Sequence, residues 1–229
     1  NFYDEKVGCV VGELKYGALN SANIVKGENV YWTYDKILKK LESKICSVVT
    51  GNGAIYGLRK SIYVPLERNM ISDFIEPLEI FKKGYKIVYE PEAIAWENTA
   101  ENSQKEFGRR IRIVTRSACS LLKNKSLREL LNPFRYGIFS VQLLSHKVLR
   151  WFSGALMILI FLFNIFLLGR GGFYNFYNLT MFGQGIFYIL AIWGFINEMW
   201  LKRKTAKVPH VIFYFGLSCV AMLYGVVNA

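Results

Sequence analysis

"MISDFIEPLEIFKKGYKIVYEPEAIAW", residues 70–96, decides how the rest of the chain is read. Phe74, Leu78 and Phe81 recur at helical spacing, Lys82, Lys83 and Gly84 end that pattern, and "YKIVYEP" follows with the residue types of a strand. Asp73 stands three residues before Glu76 at the start of the apolar run, a D-x-x-E pair that predicts a capping box opening the helix. Gly84 predicts its stop. A helix closed by glycine and followed at once by a strand belongs to a mixed α/β pattern.

Outward from this stretch the pattern continues. Upstream, "KVGCVVGELKY" reads as a strand, and "ENVYWTYDKILKKLESKI" puts Tyr31, Tyr34, Leu38, Leu41 and Ile45 on one helical face. "SVVTGNGAIYGLRKSIY" reads as a strand broken by Gly51 and Gly53, where backbone can bend sharply or come close to another group. Downstream, Ser103 and Glu106 predict a second capping box for "QKEFGRRIRIVTRSACSLLKN". On that helix Phe107, Ile111, Val114, Ala118 and Leu121 share one side, and Arg109, Arg110, Arg112 and Arg116 point elsewhere. By composition alone those arginines read as a solvated or membrane-facing surface.

The chain has 229 residues, 52% hydrophobic and 16% aromatic, too apolar for an ordinary soluble domain of this size. The excess sits in "FSGALMILIFLFNIFLLG" (152–169), "TMFGQGIFYILAIWGFINEMW" (180–200) and "VPHVIFYFGLSCVAMLYGVV" (208–227), each near the roughly 20 residues that cross a bilayer. Three spans are therefore expected. The loop with Lys202, Arg203, Lys204 and Lys207 is more basic than the one with Arg170 alone, and basic loops stay in the cytoplasm, which places residues 1–150 inside and the C-terminus outside. Residues 1–150 hold 24 of the 29 basic and 16 of the 17 acidic side chains, as a soluble part would. Between them, "SLRELLNPFRYGIFSVQLLSHKVLR" mixes aromatic, leucine and basic residues around Pro133 as an interfacial amphipathic segment does, and His146 within it is given no role. The divisions are 1–125, an α/β part; 126–150, interfacial; and 151–229, transmembrane. Cys9, Cys46, Cys119 and Cys219 form no C-x-x-C pair and accompany only two histidines, so neither a zinc site nor a disulfide scaffold is predicted. The spans have no central ionisable residue, which argues against a transporter.

The series "VTGNGAIYGLRKSIY", "ISDFIEPLEIFKKGYKIVYEPEA", "FGRRIRI" and "LLSHKVLRW" before the first apolar run resembles the C-terminal half of a membrane-embedded family 2 glycosyltransferase, the group of the cellulose, chitin and hyaluronan synthases and many bacterial polysaccharide transferases. The resemblance covers nearly the whole chain. It implies the C-terminal part of a GT-A-like fold, that of nucleotide-diphospho-sugar transferases, followed by the interfacial segment and the spans. It makes Asp73, matching the final Asp of the family's Thr-Glu-Asp motif, the general base, with Ser72 where the family carries an acidic residue. The family's Gln-x-x-Arg-Trp motif falls on residues 109–113, where only Arg112 matches; Ile113 replaces the Trp that would stack on a sugar ring, which points to addition of one or a few sugars. Arg109, Arg110 and Arg112 become candidates to meet the departing diphosphate, and Gly51, Gly53, Ala54 and Arg59 candidates beside the acceptor.

The activity implied is inverting transfer from a nucleotide-sugar to a glycan or lipid-linked acceptor in cell-surface polysaccharide synthesis at a bacterial inner membrane. The implied partners are donor, acceptor and membrane lipid, with no nucleic acid. The family binds a divalent cation, Mg2+ or Mn2+, through an Asp-x-Asp motif that this sequence lacks. "NFYDEKVGCVVGELKY" resembles the stretch just after that motif, so the sequence is expected to start partway through the catalytic domain and to be inactive by itself. The rival expectation is a non-catalytic membrane accessory or scaffold protein with a degenerate transferase-like domain.

Overall fold

The structure, a computed structural model, describes residues 1–17, 24–98, 103–168, 176–201 and 206–229. Its first half is a three-stranded sheet with β1 (Val7–Gly17) in the middle, β2 (Tyr56–Leu58) antiparallel on one side and β3 (Lys86–Asn98) parallel on the other. Val7, Cys9 and Val11, two apart in sequence, are all buried, as one face of a strand requires. Parallel strands need a crossover, and the connection from β1 to β3 includes α1 (Ile24–Ile45) and α2 (Ser72–Lys82). The stretch expected as one glycine-broken strand is a strand only at β2. Ahead of it, the Val48 N–H donates to the Ile87 carbonyl at 3.0 Å, and the chain then turns through Gly53 and Ala54.

α2 ends as its sequence predicts. Gly84 takes φ +88, its N–H donates to the Phe81 carbonyl, and the Tyr85 N–H donates to the Ile80 carbonyl, the paired closure that a left-handed residue permits. Its start does not follow the expectation. Ile71 is the cap residue and has no side-chain acceptor, so Asp73 lies inside the first turn, and the Glu76 carboxylate accepts instead from the Tyr56 hydroxyl at 2.9 Å. No capping box forms, because the helix begins two residues too early for Asp73 to cap it.

α1 also departs from expectation. Of the row expected on one face, Tyr34, Leu41 and Ile45 are exposed with Ile37 beside them and Leu38 is half-buried, the Tyr31 side chain lying outside the described ones, while Lys39 and Glu42 are buried. α3 (Ser103–Lys123) behaves as predicted, burying Val114, Ala118 and Leu121 with Phe107 and Ile111 half-buried.

The core joins Phe74, Ile75 and Leu78 of α2 to the α3 row and to Leu127, Leu130, Phe139, Leu143 and Trp151 from the run of short helices over 125–151. Each such fully buried Leu or Phe contributes roughly 1.5–3 kcal/mol. Phe139 stacks on Phe81 at 3.6 Å between ring centroids, and Trp151 meets Phe74 edge-on at 6.2 Å. The opposite side of the same run exposes Phe134, Ile138, Val141 and Leu149, so the segment expected at an interface is apolar both inward and outward.

The remainder is helical: α4 (Ser153–Leu167), α5 (Phe176–Phe195, continued in wider turns through Trp200) and α6 (Lys207–Val227). Among the described residues two helices, Phe176–Trp200 and Val208–Val227, are long and apolar enough to cross a membrane. α4, with 15 residues, reaches about 22 Å at 1.5 Å per residue, short of a bilayer core, and follows the preceding helical run at a bend of 70°. Two full-length candidates thus stand where three were expected, and the count is three if the bent pair Ile138–Trp151 and Ser153–Leu167 forms one span. Arg170, Lys202, Arg203 and Lys204, on which the orientation rested, lie outside the described residues.

α6 crosses its neighbours at small residues. A Cβ on Gly194 would meet the Pro209 carbonyl at 2.7 Å, and one on Gly225 would meet Val114 Cβ at 2.8 Å, so both crossings depend on a bare backbone. Met222, Val226 and Ala229 pack against the same core as the α/β part. The end of α6 therefore lies on that part.

Candidate functional site

The Asp73 position is built from a missing donor. A helix carbonyl normally accepts from the N–H four residues on, but the residue four after Asp73 is Pro77, which has none. The Asp73 carbonyl accepts instead from the Gly51 N–H at 2.6 Å, which ties the glycine loop to the first turn of α2. Only glycine fits there, since a Cβ on residue 51 would sit 2.7 Å from that oxygen. The side chain faces the same loop: a Cβ on Gly53 would lie 3.3 Å from Asp73 Oδ2. Asp73 is half-buried, and as a first-turn anion it is favoured by the helix dipole. Behind it burial raises the Glu76 carboxyl, and the Tyr56 hydroxyl that it accepts acts in the opposite direction.

Next to this junction is a small cleft whose walls include Asp35, Lys39, Glu42, Thr50, His146 and Lys147. The Lys147 ammonium lies 4.8 Å from the centre of the Phe74 ring, a cation–π contact, and feels the Asp73 charge. Burial, with Arg150 close by, pulls Lys147 down to about 8. His146 Nδ1 is 2.7 Å from Glu42 Oε1, while the other Glu42 oxygen accepts from the Val49 N–H at 3.1 Å; burial raises that carboxyl. Lys39 pairs with Asp35 at 2.8 Å.

The expected site residues therefore separate. Asp73, Gly51 and Gly53 are brought together, with Ala54 exposed in the turn that follows. Arg59 serves the N-terminal segment: its Nε donates to the Val7 carbonyl at 2.6 Å, its Nη2 to the Phe2 and Asp4 carbonyls, and it lies over the Phe2 ring. Arg109 and Arg110 share the buried Glu106 carboxylate at 2.7 and 2.8 Å, and Arg110 also donates to the Tyr214 hydroxyl of α6 at 3.0 Å. Arg110 thus joins α3 to α6; Arg112 is exposed.

Lys147, Arg150 and the His146–Glu42 pair were not among the expected site residues. The available signal was "SHKVLR", which sets three basic side chains within about one helical turn, but the carboxylate that meets them is 104 residues away in sequence. Among the described residues no three His, Cys, Asp or Glu side chains are grouped to hold a metal, and in the cleft Asp35 pairs with Lys39 and Glu42 with His146. These residues do not fit a divalent cation.

No protein-family model matches the chain, and no curated protein matches it. The class defined by the fold is coarse: a mixed α/β part with a small sheet, built together with apolar helices two of which are long enough to span a bilayer. The chain is a membrane-associated protein.

Proposed function

We propose that this chain is part of an inverting family 2 glycosyltransferase of hexosyltransferase type, acting in polysaccharide synthesis at a bacterial inner membrane. Its GT-A-like α/β part would face the cytoplasm, with Asp73 as the general base. The observation that supports this reading most is the junction of Asp73 with the glycine loop. A half-exposed carboxylate is held in place through its own backbone by Gly51 and faces Gly53, where there is no side chain to block an approaching hydroxyl.

In the proposed reaction an acceptor hydroxyl, on a glycan or a lipid-linked sugar, attacks the anomeric carbon of the donor. The new C–O bond forms as the bond to the nucleoside diphosphate breaks, attack from the opposite side inverts the centre, and the hydroxyl proton passes to Asp73. Lys147 and Arg150 line the adjacent cleft, where Lys39 is taken up by Asp35, and would offset charge on the departing diphosphate. They take the part expected of Arg109 and Arg110, whose guanidinium groups are held by Glu106. The divalent cation of the resemblance has no ligand set among the described residues, and no step here runs through it.

The test is sugar transfer by membranes carrying the full-length protein. Asp73→Asn should lower the rate by about 10²–10⁴-fold, the usual contribution of a positioned general base. An unchanged rate removes Asp73 as base. Absence of donor turnover by the unaltered protein across the common nucleotide sugars turns the reading to the accessory protein.

A further inference from the structure

α1 is arranged in the reverse of a helix that meets water. Over its described side chains the two carboxylates turn inward, Asp35 onto Lys39 and Glu42 onto His146. The outward face carries Tyr34, Ile37, Leu41 and Ile45, 50–61% exposed and spaced three or four residues apart, so that they form one row. Lys40 and Lys44, both exposed, run along one edge of that row. Among the described side chains of α1 no acidic one accompanies them there: Lys36 is the helix's next lysine back along that edge, and its partner is Glu13 of β1.

We propose that the outer face of α1 rests on an anionic lipid surface, the apolar row entering the acyl boundary and Lys40 and Lys44 meeting headgroup phosphates. An apolar row edged by lysine is the pattern of a helix lying in the plane of a membrane interface, and basic residues at such a surface are drawn by its negative potential. Two features favour lipid over a protein partner. Among the described side chains the charge along the outer face is of one sign only, which complements an anionic bilayer. The inner side of α1 packs on α6, a candidate span, and on the helical run through His146, so the face belongs to the part of the fold that carries the apolar helices. The inference does not depend on the transferase reading.

A photoreactive benzoylphenylalanine at position 41, in the full-length protein reconstituted into vesicles, tests it. In vesicles of phosphatidylcholine mixed with phosphatidylglycerol, irradiation should attach a phospholipid at that position. The yield should be roughly threefold or more above that in phosphatidylcholine alone, and Lys40→Glu with Lys44→Glu should remove the excess. Attachment to another polypeptide segment, no lipid adduct, or a yield indifferent to phosphatidylglycerol would overturn the proposal. The same probe at position 45, also on the row, separates a local folding fault from a true negative.

Discussion

Asp73 on α2 and Glu106 on α3 both lie in the first turn of their helices, and each reads in the sequence as half of a capping box. The structure gives them opposite surroundings. Glu106 is 1% exposed and neutralised by Arg109 and Arg110, one of which ties α3 to α6. Asp73 is half-buried, its carbonyl is bound to Gly51, and its carboxylate faces a loop where Gly53 offers no side chain. What separates a structural carboxylate from an available one is therefore neither residue type nor position in the helix. It is whether the packing brings a counter-charge onto it.

Substitutions sharpen or break that comparison. Glu106→Gln should have the largest effect on stability, a loss of about 3 kcal/mol, because removing one partner leaves buried guanidinium charge uncompensated. Asp73→Asn should change stability by less than about 1 kcal/mol, as a half-exposed side chain outside any buried network does. Thermal unfolding in detergent checks both, and equal losses would end the contrast. Gly51→Ala comes next, with about 2 kcal/mol lost, since the new methyl must displace the Asp73 carbonyl or its own loop. Transfer activity should fall with it. Tyr214→Phe removes one acceptor from Arg110 and should cost about 1 kcal/mol in the same assay.

A separate expected effect is on pH dependence. The fold holds Lys147 near 8, and an unfolded chain holds it near 10.5. Between those values the unfolded chain binds a proton that the folded one lacks, so this group makes stability rise with pH across that window and contributes no slope below it. Unfolding temperatures of Lys147→Met should lack that rise; an identical profile would show that Lys147 is not held in its cleft.

Much of this was legible. The glycine stop of α2, the strands at β1 and β3 and the buried row of α3 follow from local pattern. What was not legible depends on distant partners. Periodicity shows that α1 has an apolar row but not what lies against it, and here buried charge took the inner side. Arg59 reads as a loop arginine beside a site until Phe2 and Asp4, 57 and 55 residues earlier, return to it. The arginines of α3 read as available until Tyr214, 104 residues on, receives one of them.

Pro77 has a consequence beyond the position of one carboxylate. Because the helix cannot supply a donor to the Asp73 carbonyl, the amide of Gly51 is locked although it lies outside regular secondary structure. In hydrogen–deuterium exchange that amide should be retained far longer than those of Gly53 and Ala54 in the adjacent turn, a single slow proton reporting whether loop and helix move as one body.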